Sequence, residues 1–287
     1  MNVDTAHRLF NAPGPKGQKR AELYSALSLV IILGLISLAL INFGAHGGLD
    51  PERWLFIIQP EILKFYGEGL VATLKVTAVA GVFGLVLGSM LAIMRVSPNR
   101  ALSRTVGAYV EVTRSLPTLL VLYFTLLLLP YYGITMPIFW QLVAAMTITN
   151  ASMIAEILRG CILALPKGQM EAGLALGATR GTTMRTVIFP QAFTDSMPAL
   201  IAQLIFLLKS STLGYVISYN ELLFKSRVIG EFSEEIVTAM IFVVVIFLVV
   251  NVTVGRALLF LHGRYERSQR GDAPRKKRIT HAEPALA

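Results

Sequence analysis

The stretch EAGLALGATRGTTMRTVIFPQA, from Glu171 to Ala192, is a short polar island between two long apolar runs. Its small residues and its interruption by glycine favour two short helices rather than one long one. A membrane protein that builds such an element between spans presents it to something outside the bilayer. The stretch therefore predicts a docking element for a soluble partner, and an ordinary amphipathic loop between spans is the alternative.

The local residue order supports this interpretation. Residues 169–176 favour a helix that has Glu171 in its first turn, where a carboxylate meets the positive end of the helix dipole. Gly177 is the residue type that ends a helix. Thr179 or Thr182 can cap a second short helix, and Pro190 is predicted to end that helix.

The composition around the island is that of a membrane protein. The 287 residues are 54% hydrophobic and 15% charged, whereas about a quarter of the residues in a soluble domain are charged. The net charge is +9, which we interpret as membrane topology because the apolar runs can cross a bilayer; no nucleic-acid partner is expected. The single cysteine, Cys161, excludes an intramolecular disulfide and lacks metal-ligand spacing.

Six apolar segments predict an all-α integral membrane protein with six transmembrane helices. An extra N-terminal helix at 23–44 follows a basic segment, 1–22, and a signal peptide is the alternative for this part of the chain. Residues 115–155 carry no Asp, Glu, Lys or Arg over 41 positions, enough for two spans separated by the turn-forming residues 130–137. The predicted spans are about 26–43, 69–94, 108–130, 137–160, 196–217 and 236–260.

The basic residues predict the orientation. With the N-terminus inside, the inner segments hold 20 of the 26 Lys and Arg residues and the outer segments hold four, while Lys75 and Lys209 lie at membrane depth. The positive-inside rule therefore gives an N-in, C-in topology with residues 161–195 in the cytoplasm. Lys75 is expected in the first turns of span two. The basic tail, 263–287, is a topology determinant or contacts anionic headgroups, and residues 1–20 and 265–287 are expected to be disordered.

A spaced motif runs through the polar island. It consists of Glu171, Ala172, Gly173, Gly177, Ala178, Val187, Phe189 and Pro190. This spacing resembles the EAA loop of binding-protein-dependent ABC importer permeases, with Gly173 in place of Ala and Phe189 in place of Leu. The resemblance implies the type I ABC importer permease fold. It also implies that the loop, here 163–192, places a short coupling helix in a groove of an ATP-binding subunit.

The chain contains no GxxxxGK[ST] sequence, so it does not carry that phosphate-binding loop itself. The resemblance implies that a dimer of separate ATP-binding subunits binds ATP and Mg²⁺, and that this chain holds no cofactor, metal or catalytic residue. It further implies a second, unlike permease subunit, an extracellular substrate-binding protein and a bacterial plasma membrane location. We expect a transport subunit rather than an enzyme.

Further motifs lie across residues 66–262, the predicted permease core. They are Gly69-x3-Thr73-Leu74, Tyr109–Pro117, Asn150–Gly160, Gly168–Ala172, Pro190–Ala192, Pro198 and Lys209–Leu213. Together they resemble the polar amino acid permeases. The N-terminal span and the basic tail resemble those of glutamate-type permeases of Gram-positive, particularly actinobacterial, systems.

Lys209 lies near the middle of the fifth predicted span, where an ammonium group normally faces a partner or a wet cavity. Two interpretations stay open: pairing with a carbonyl or Glu156, and lining the translocation path. The predicted substrate path consists of Lys209, Ser210, Ser211, Gln203, Leu116 and Pro117.

Relatives that carry cationic amino acids often have acidic residues around this lysine, and this chain has none there. Because a buried acid would repel a substrate carboxylate, the most favoured substrate is glutamate or aspartate. The alternatives are a neutral or basic amino acid such as glutamine, histidine or arginine, and a gradient-driven secondary transporter.

Two pairs have a direct physical interpretation. Gly84 and Gly88 form a small-xxx-small pair that lets helices approach closely. Glu111 and Arg114 are three residues apart and are predicted to pair on one helix face.

Overall fold

The computed structural model describes the backbone of residues 14–271 and the side chains of residues 17–264. All regular secondary structure in that part of the chain is helical. The helices are α1 (Pro15–Ala45), α2 (Pro51–Ile57), α3 (Pro60–Arg95), α4 (Arg100–Ser115), α5 (Thr118–Tyr131), α6 (Ile138–Ala164), α7 (Gly168–Ala175), α8 (Arg180–Thr183), α9 (Phe189–Ser210), α10 (Leu222–Ser233) and α11 (Ile236–Gly271). A π-helical turn, Met184–Ile188, precedes α9, and a 3₁₀ segment, Ser211–Ile217, follows it.

The chain forms two compact units, divided after Gln59. In the first unit, α1 contains the predicted N-terminal span, and its apolar side chains are exposed along its length. Pro15 begins this helix, as proline favours the first helical position. The expectation of disorder through residue 20 is therefore wrong from Pro15 onward, and residues 1–13 lie outside the described part.

The number of helices that could span a membrane is compatible with the prediction. In the part of the chain that the structure describes, five helices are long and apolar enough to cross a membrane, or up to six if α4 and α5, bent by 99°, form one span. The all-α membrane fold is confirmed, but a continuous third span over 108–130 is wrong. Leu116 and Pro117 both have extended backbone, with ψ of 131°. A residue before proline disfavours helical backbone, so α4 ends at Ser115.

The second unit is organised around α3 and α6, which pack together more extensively than any other pair of helices in it. Gly88 allows this approach, because a Cβ there would lie 2.7 Å from Ile154 Cβ and 2.8 Å from the Ala151 carbonyl oxygen. At Gly84, an added Cβ would lie 2.6 Å from the Asn150 amide nitrogen. The predicted small-xxx-small pair is thus confirmed as a packing contact between these helices.

Two positions along the long helices differ from expectation. Helix α3 begins at Pro60, so exposed Lys75 lies well inside it rather than in its first turns. Helix α11 continues to Gly271, so the expectation of disorder is wrong for 265–271. The basic residues 275–278 lie outside the described part.

Glu221 caps α10 from a buried position. Its carboxylate accepts hydrogen bonds from the backbone N–H groups of Leu223, at 2.9 Å, and Phe224, at 2.7 Å. The side chain is fully buried, and this burial raises the pKa of Glu221 to about 7, although the two N–H donors act to lower it.

The raised pKa predicts a pH-dependent stability. The neutral carboxyl is favoured in the folded protein. Its contribution to the free energy of unfolding is therefore complete below about pH 4.5 and is lost as the pH rises through about 7. A shift from 4.5 to about 7 corresponds to about 3 kcal/mol. Glu221→Gln is expected to remove this dependence between about pH 4.5 and about pH 7, the interval between the two pKa values. Thermal unfolding of the purified protein measures it, and an unchanged pH slope in the variant would contradict the assignment.

Candidate functional site

The polar island folds into a helical hairpin, which we call the coupling hairpin (residues 168–188). Helix α7 ends two residues before Gly177, which has a φ of +82°. The Gly177 N–H donates to the Leu174 carbonyl at 2.9 Å, and the Ala178 N–H donates to the Gly173 carbonyl at 3.1 Å. These two bonds define a Schellman motif, in which the left-handed residue is normally glycine. The predicted helix end at Gly177 is confirmed.

The second half of the hairpin begins with a side-chain cap. The Thr179 hydroxyl accepts a hydrogen bond from the Thr182 N–H at 3.2 Å, as one of the two predicted caps requires. The prediction that this helix stops at Pro190 is wrong, because α8 continues through the π-helical turn into α9. Proline lacks an N–H and crowds the carbonyl four residues earlier. A widened turn directly before Pro190 accommodates both effects.

The two short helices meet at Gly173. A Cβ at this position would lie 2.6 Å from Thr183 Oγ1 and closer still to its methyl group. Thr183 is buried and donates its hydroxyl hydrogen to the Thr179 carbonyl at 3.0 Å. The glycine that departs from the EAA pattern is therefore explained by the threonine packed against it.

This contact predicts a compensating pair of substitutions. Gly173→Ala is expected to destabilise the hairpin by about 1–3 kcal/mol, because the added methyl group overpacks the contact with Thr183. Adding Thr183→Ala removes the two nearest atoms, the methyl carbon and the hydroxyl oxygen of Thr183, and should recover most of the lost stability of the hairpin. Protease resistance of the hairpin in the purified protein measures the effect, and equal resistance of Gly173→Ala with and without the second change would contradict it.

Apolar packing fixes the hairpin to the spans. Ile162 at the end of α6, Ile188 in the π-helical turn and Ala192 at the start of α9 form a buried cluster. Met170 of α7 and Met184 pack against that cluster. The hairpin is therefore packed against the ends of two long helices, α6 and α9.

The outer face of α7 is open. The predicted coupling residues Glu171, Ala172 and Gly177 are exposed, Gly173 and Ala178 are half-buried, and Pro190 lies exposed in the first turn of α9. Leu176 is 89% exposed.

Three residues of the predicted substrate path line a pocket between α4, α6 and α9, which we call the polar pocket. They are Leu116, Gln203 and Ser210. The same pocket is lined by Arg114, Thr149 and Asn150, which were not predicted as path residues. The Gln203 amide donates to Asn150 Oδ1 at 2.8 Å. Polar side chains at 149 and 150, within an otherwise charge-free apolar run, were the signal in the sequence.

The other three predicted path residues do not line this pocket. Ser211 is buried and donates to the Leu208 carbonyl at 2.7 Å, and Pro117 forms the break before α5. Lys209 is exposed in the last turn of α9. Its ammonium group forms no ion pair within the described part of the chain, so the proposed pairing with Glu156 is wrong.

Glu156 belongs instead to a group that we call the ionic cluster: Arg95, Glu111, Arg114, Glu156 and Arg159. Arg95 and Arg159 both donate to the Glu156 carboxylate, the latter at 2.5 Å, and Arg95 also donates to Glu111 at 3.1 Å. Arg114 lies 3.7 Å from Glu156. The predicted pairing of Glu111 with Arg114 is therefore not formed, because each finds a partner on another helix.

Comparisons with known proteins identify the family of this chain. The family described as binding-protein-dependent transport system inner membrane component matches residues 84–267. The glutamate transport system permease protein of Corynebacterium glutamicum is 34% identical over 80% of this chain and 85% of its own length. The arginine transport system permease protein of Bacillus subtilis is 35% identical over 56% of this chain and 74% of its own length.

Among solved structures, a crystal structure of an amino acid ABC transporter with histidines superposes with a TM-score of 0.66. It is 31% identical, and the match covers 71% of this chain and 95% of that one. The residues that match the family, 84–267, include the polar island, the pocket and all five residues of the ionic cluster. The chain is therefore a multi-pass membrane protein of the binding-protein-dependent transport system inner membrane component family.

Proposed function

We propose that this chain is the permease subunit of an ATP-driven importer for polar amino acids, with glutamate or aspartate as substrate. It pairs with a second, unlike permease subunit and receives substrate from an extracellular binding protein. A dimer of ATP-binding subunits supplies the ATP and Mg²⁺ sites. The observation that carries the proposal is the coupling hairpin, which exposes Glu171 and Leu176 while packing against α6 and α9.

The hairpin geometry supports a mechanical role. ATP binding closes the ATPase dimer, and a rigid helix pair seated on it moves as one body. Because Ile162 and Ile188 lie in one packed cluster with Met170, that motion reaches the ends of two spans. The spans then shift between inward-facing and outward-facing states, a two-state element biased by ligands at two separate sites.

The polar pocket, with a volume of about 60 Å³ in this conformation, has room for one carboxylate group of an amino acid substrate. It offers the hydroxyls of Thr149 and Ser210, the amides of Asn150 and Gln203, and the guanidinium of Arg114. None of its lining residues is Asp or Glu. A carboxylate in such a pocket meets donors and the Arg114 guanidinium, and the neighbouring carboxylate of Glu156 is itself hydrogen-bonded by Arg95 and Arg159, which favours an acidic amino acid.

A neutral or basic amino acid is the second candidate. The Bacillus subtilis relative named for arginine transport has about the same identity, 35%, as the 34% of the Corynebacterium glutamicum relative named for glutamate, over 56% rather than 80% of this chain. The paired amides of Asn150 and Gln203 could also recognise the side-chain amide of glutamine. A gradient-driven secondary transporter is not retained, because the family that matches depends on binding proteins.

Uptake competition tests the substrate. The complete complex is reconstituted in vesicles with its binding protein. It is given labelled glutamate together with a roughly tenfold excess of unlabelled aspartate, glutamine, histidine or arginine. Aspartate is expected to block uptake and the other three to leave most of it. Block by arginine or glutamine, with little effect of aspartate, would contradict the acidic substrate while retaining the amino acid permease.

A further inference from the structure

Arg114 belongs to two structures at once. It lines the polar pocket beside Gln203 and Ser210, and it is also the member of the ionic cluster nearest the break between α4 and α5. Its side chain is 38% exposed, compared with 12% for Arg95. A guanidinium in this position can reach either the cluster or a molecule in the pocket.

The charges of the cluster do not balance. It contains three guanidinium groups and two carboxylates, which leaves one positive charge. Glu156 is already hydrogen-bonded by Arg95 and, through two nitrogens, by Arg159. Glu111 is bonded by Arg95.

Arg114 has the weakest contact of the three arginines. Its Nη1 lies 3.7 Å from Glu156 Oε2, beyond the range of about 2.7–3.2 Å for a hydrogen bond. The attraction is therefore purely coulombic at this separation, and the planar donor fork of Arg114 is left without a close acceptor on Glu156. Arg114 is the surplus cation of the cluster.

We propose that Arg114 binds the carboxylate of the transported amino acid, and that Glu156 holds the same guanidinium loosely while the pocket is empty. The guanidinium fork pairs with a carboxylate through two parallel hydrogen bonds, a geometry that lysine cannot reproduce. The amides of Asn150 and Gln203 and the hydroxyls of Thr149 and Ser210 then face the rest of the molecule. The inference rests on the proposed function and names the residue that recognises its substrate.

Substrate binding would then alter the cluster. A carboxylate in the pocket competes with Glu156 for Arg114, so the cluster loses one of the three cations that face Glu156. Arg95 ends α3, Arg114 lies at the end of α4, and Glu156 lies on α6. Occupancy of the pocket would thereby change the ionic contacts between three helices, α3, α4 and α6.

Direct binding of labelled glutamate tests the proposal. The permease–ATPase complex is studied without the binding protein, whose own specificity would otherwise enter. Arg114→Gln is expected to weaken binding roughly tenfold or more, as loss of a charge-assisted pair implies, and Arg114→Lys to recover part of it. Arg104→Gln is the matched control, since it makes the same change on an exposed residue of the same helix and should bind as the wild type.

A second measurement does not depend on the variants folding. The wild-type complex should prefer glutamate over glutamic diamide, which has no carboxylate, by a similar factor. Binding by Arg114→Gln within about twofold of the wild type, or equal affinity of the wild type for the diamide, would overturn the proposal. Absence of binding and uptake of every amino acid by the wild-type complex would instead contradict the proposed function.

Discussion

Replacing Gly177 by valine is expected to abolish most ATP-driven uptake while leaving the protein in the membrane. Gly177 has a φ of +82°, and a side chain in left-handed backbone costs about 1–2 kcal/mol, with more for a β-branched residue. That is roughly tenfold or more in the population of the closed turn. Loss of the Schellman bonds to Leu174 and Gly173 changes how α7 meets the ATP-binding subunit.

Gly181→Val is the matched control for this change. Gly181 lies in α8 of the same hairpin, and the nearest atom to an added Cβ is Thr179 Oγ1, at 3.9 Å. Both variants should reach the membrane in wild-type amounts. Only the complex that carries Gly177→Val should hydrolyse ATP without taking up substrate. Glu171→Ala is expected to have the same direction of effect with a smaller size, because it leaves the turn intact. Wild-type uptake by Gly177→Val would contradict the coupling role.

The second large effect is expected at the contact between α3 and α6. Gly88→Ala places a methyl group against Ile154 Cβ and the Ala151 carbonyl oxygen, at 2.7 and 2.8 Å. Since one of these atoms is backbone and the other is the branch point of a side chain, neither can move without shifting the helix. Overpacking of this kind costs about 1–3 kcal/mol.

Gly67→Ala provides the comparison, because Gly67 lies on the same helix with no atom within 4 Å of an added Cβ. Alanine in an open helical position is neutral or stabilises by about 0.5–1 kcal/mol. The midpoint of thermal unfolding in detergent should therefore fall for Gly88→Ala and hold or rise for Gly67→Ala. Equal midpoints would show that the two helices do not pack closely at Gly88.

The parts of the fold that the sequence predicted are those set by local chemistry. Long apolar runs predict spans because the bilayer thickness fixes their length. Gly177 and Thr179 mark the hairpin because a left-handed turn and a cap each need a particular residue type. Leu116-Pro117 is also an X-Pro step, which disfavours helical backbone before the proline, although the predicted span of 108–130 ran through it.

The contacts between distant residues were not predictable in this way. The signal for pairing Glu111 with Arg114 was local spacing, whereas folding brings Arg95 and Glu156 to them from other helices. The place of Lys209 on the substrate path stays a prediction, because the direction of its side chain depends on how α9 is rotated in the bundle. The polar pocket depends on the same rotation, which aligns Gln203 with Asn150, 53 residues away.

The central claim is that ATP hydrolysis on a partner subunit drives amino acid transport through the coupling hairpin. The most direct test is uptake of labelled glutamate into vesicles that carry the reconstituted complex and its binding protein, with and without ATP on the side of the hairpin. Uptake should require ATP in the wild type and be lost in Gly177→Val. The complex that carries this variant should continue to hydrolyse ATP. Glutamate uptake that proceeds without ATP, or that is unaffected by the change at Gly177, would contradict the account.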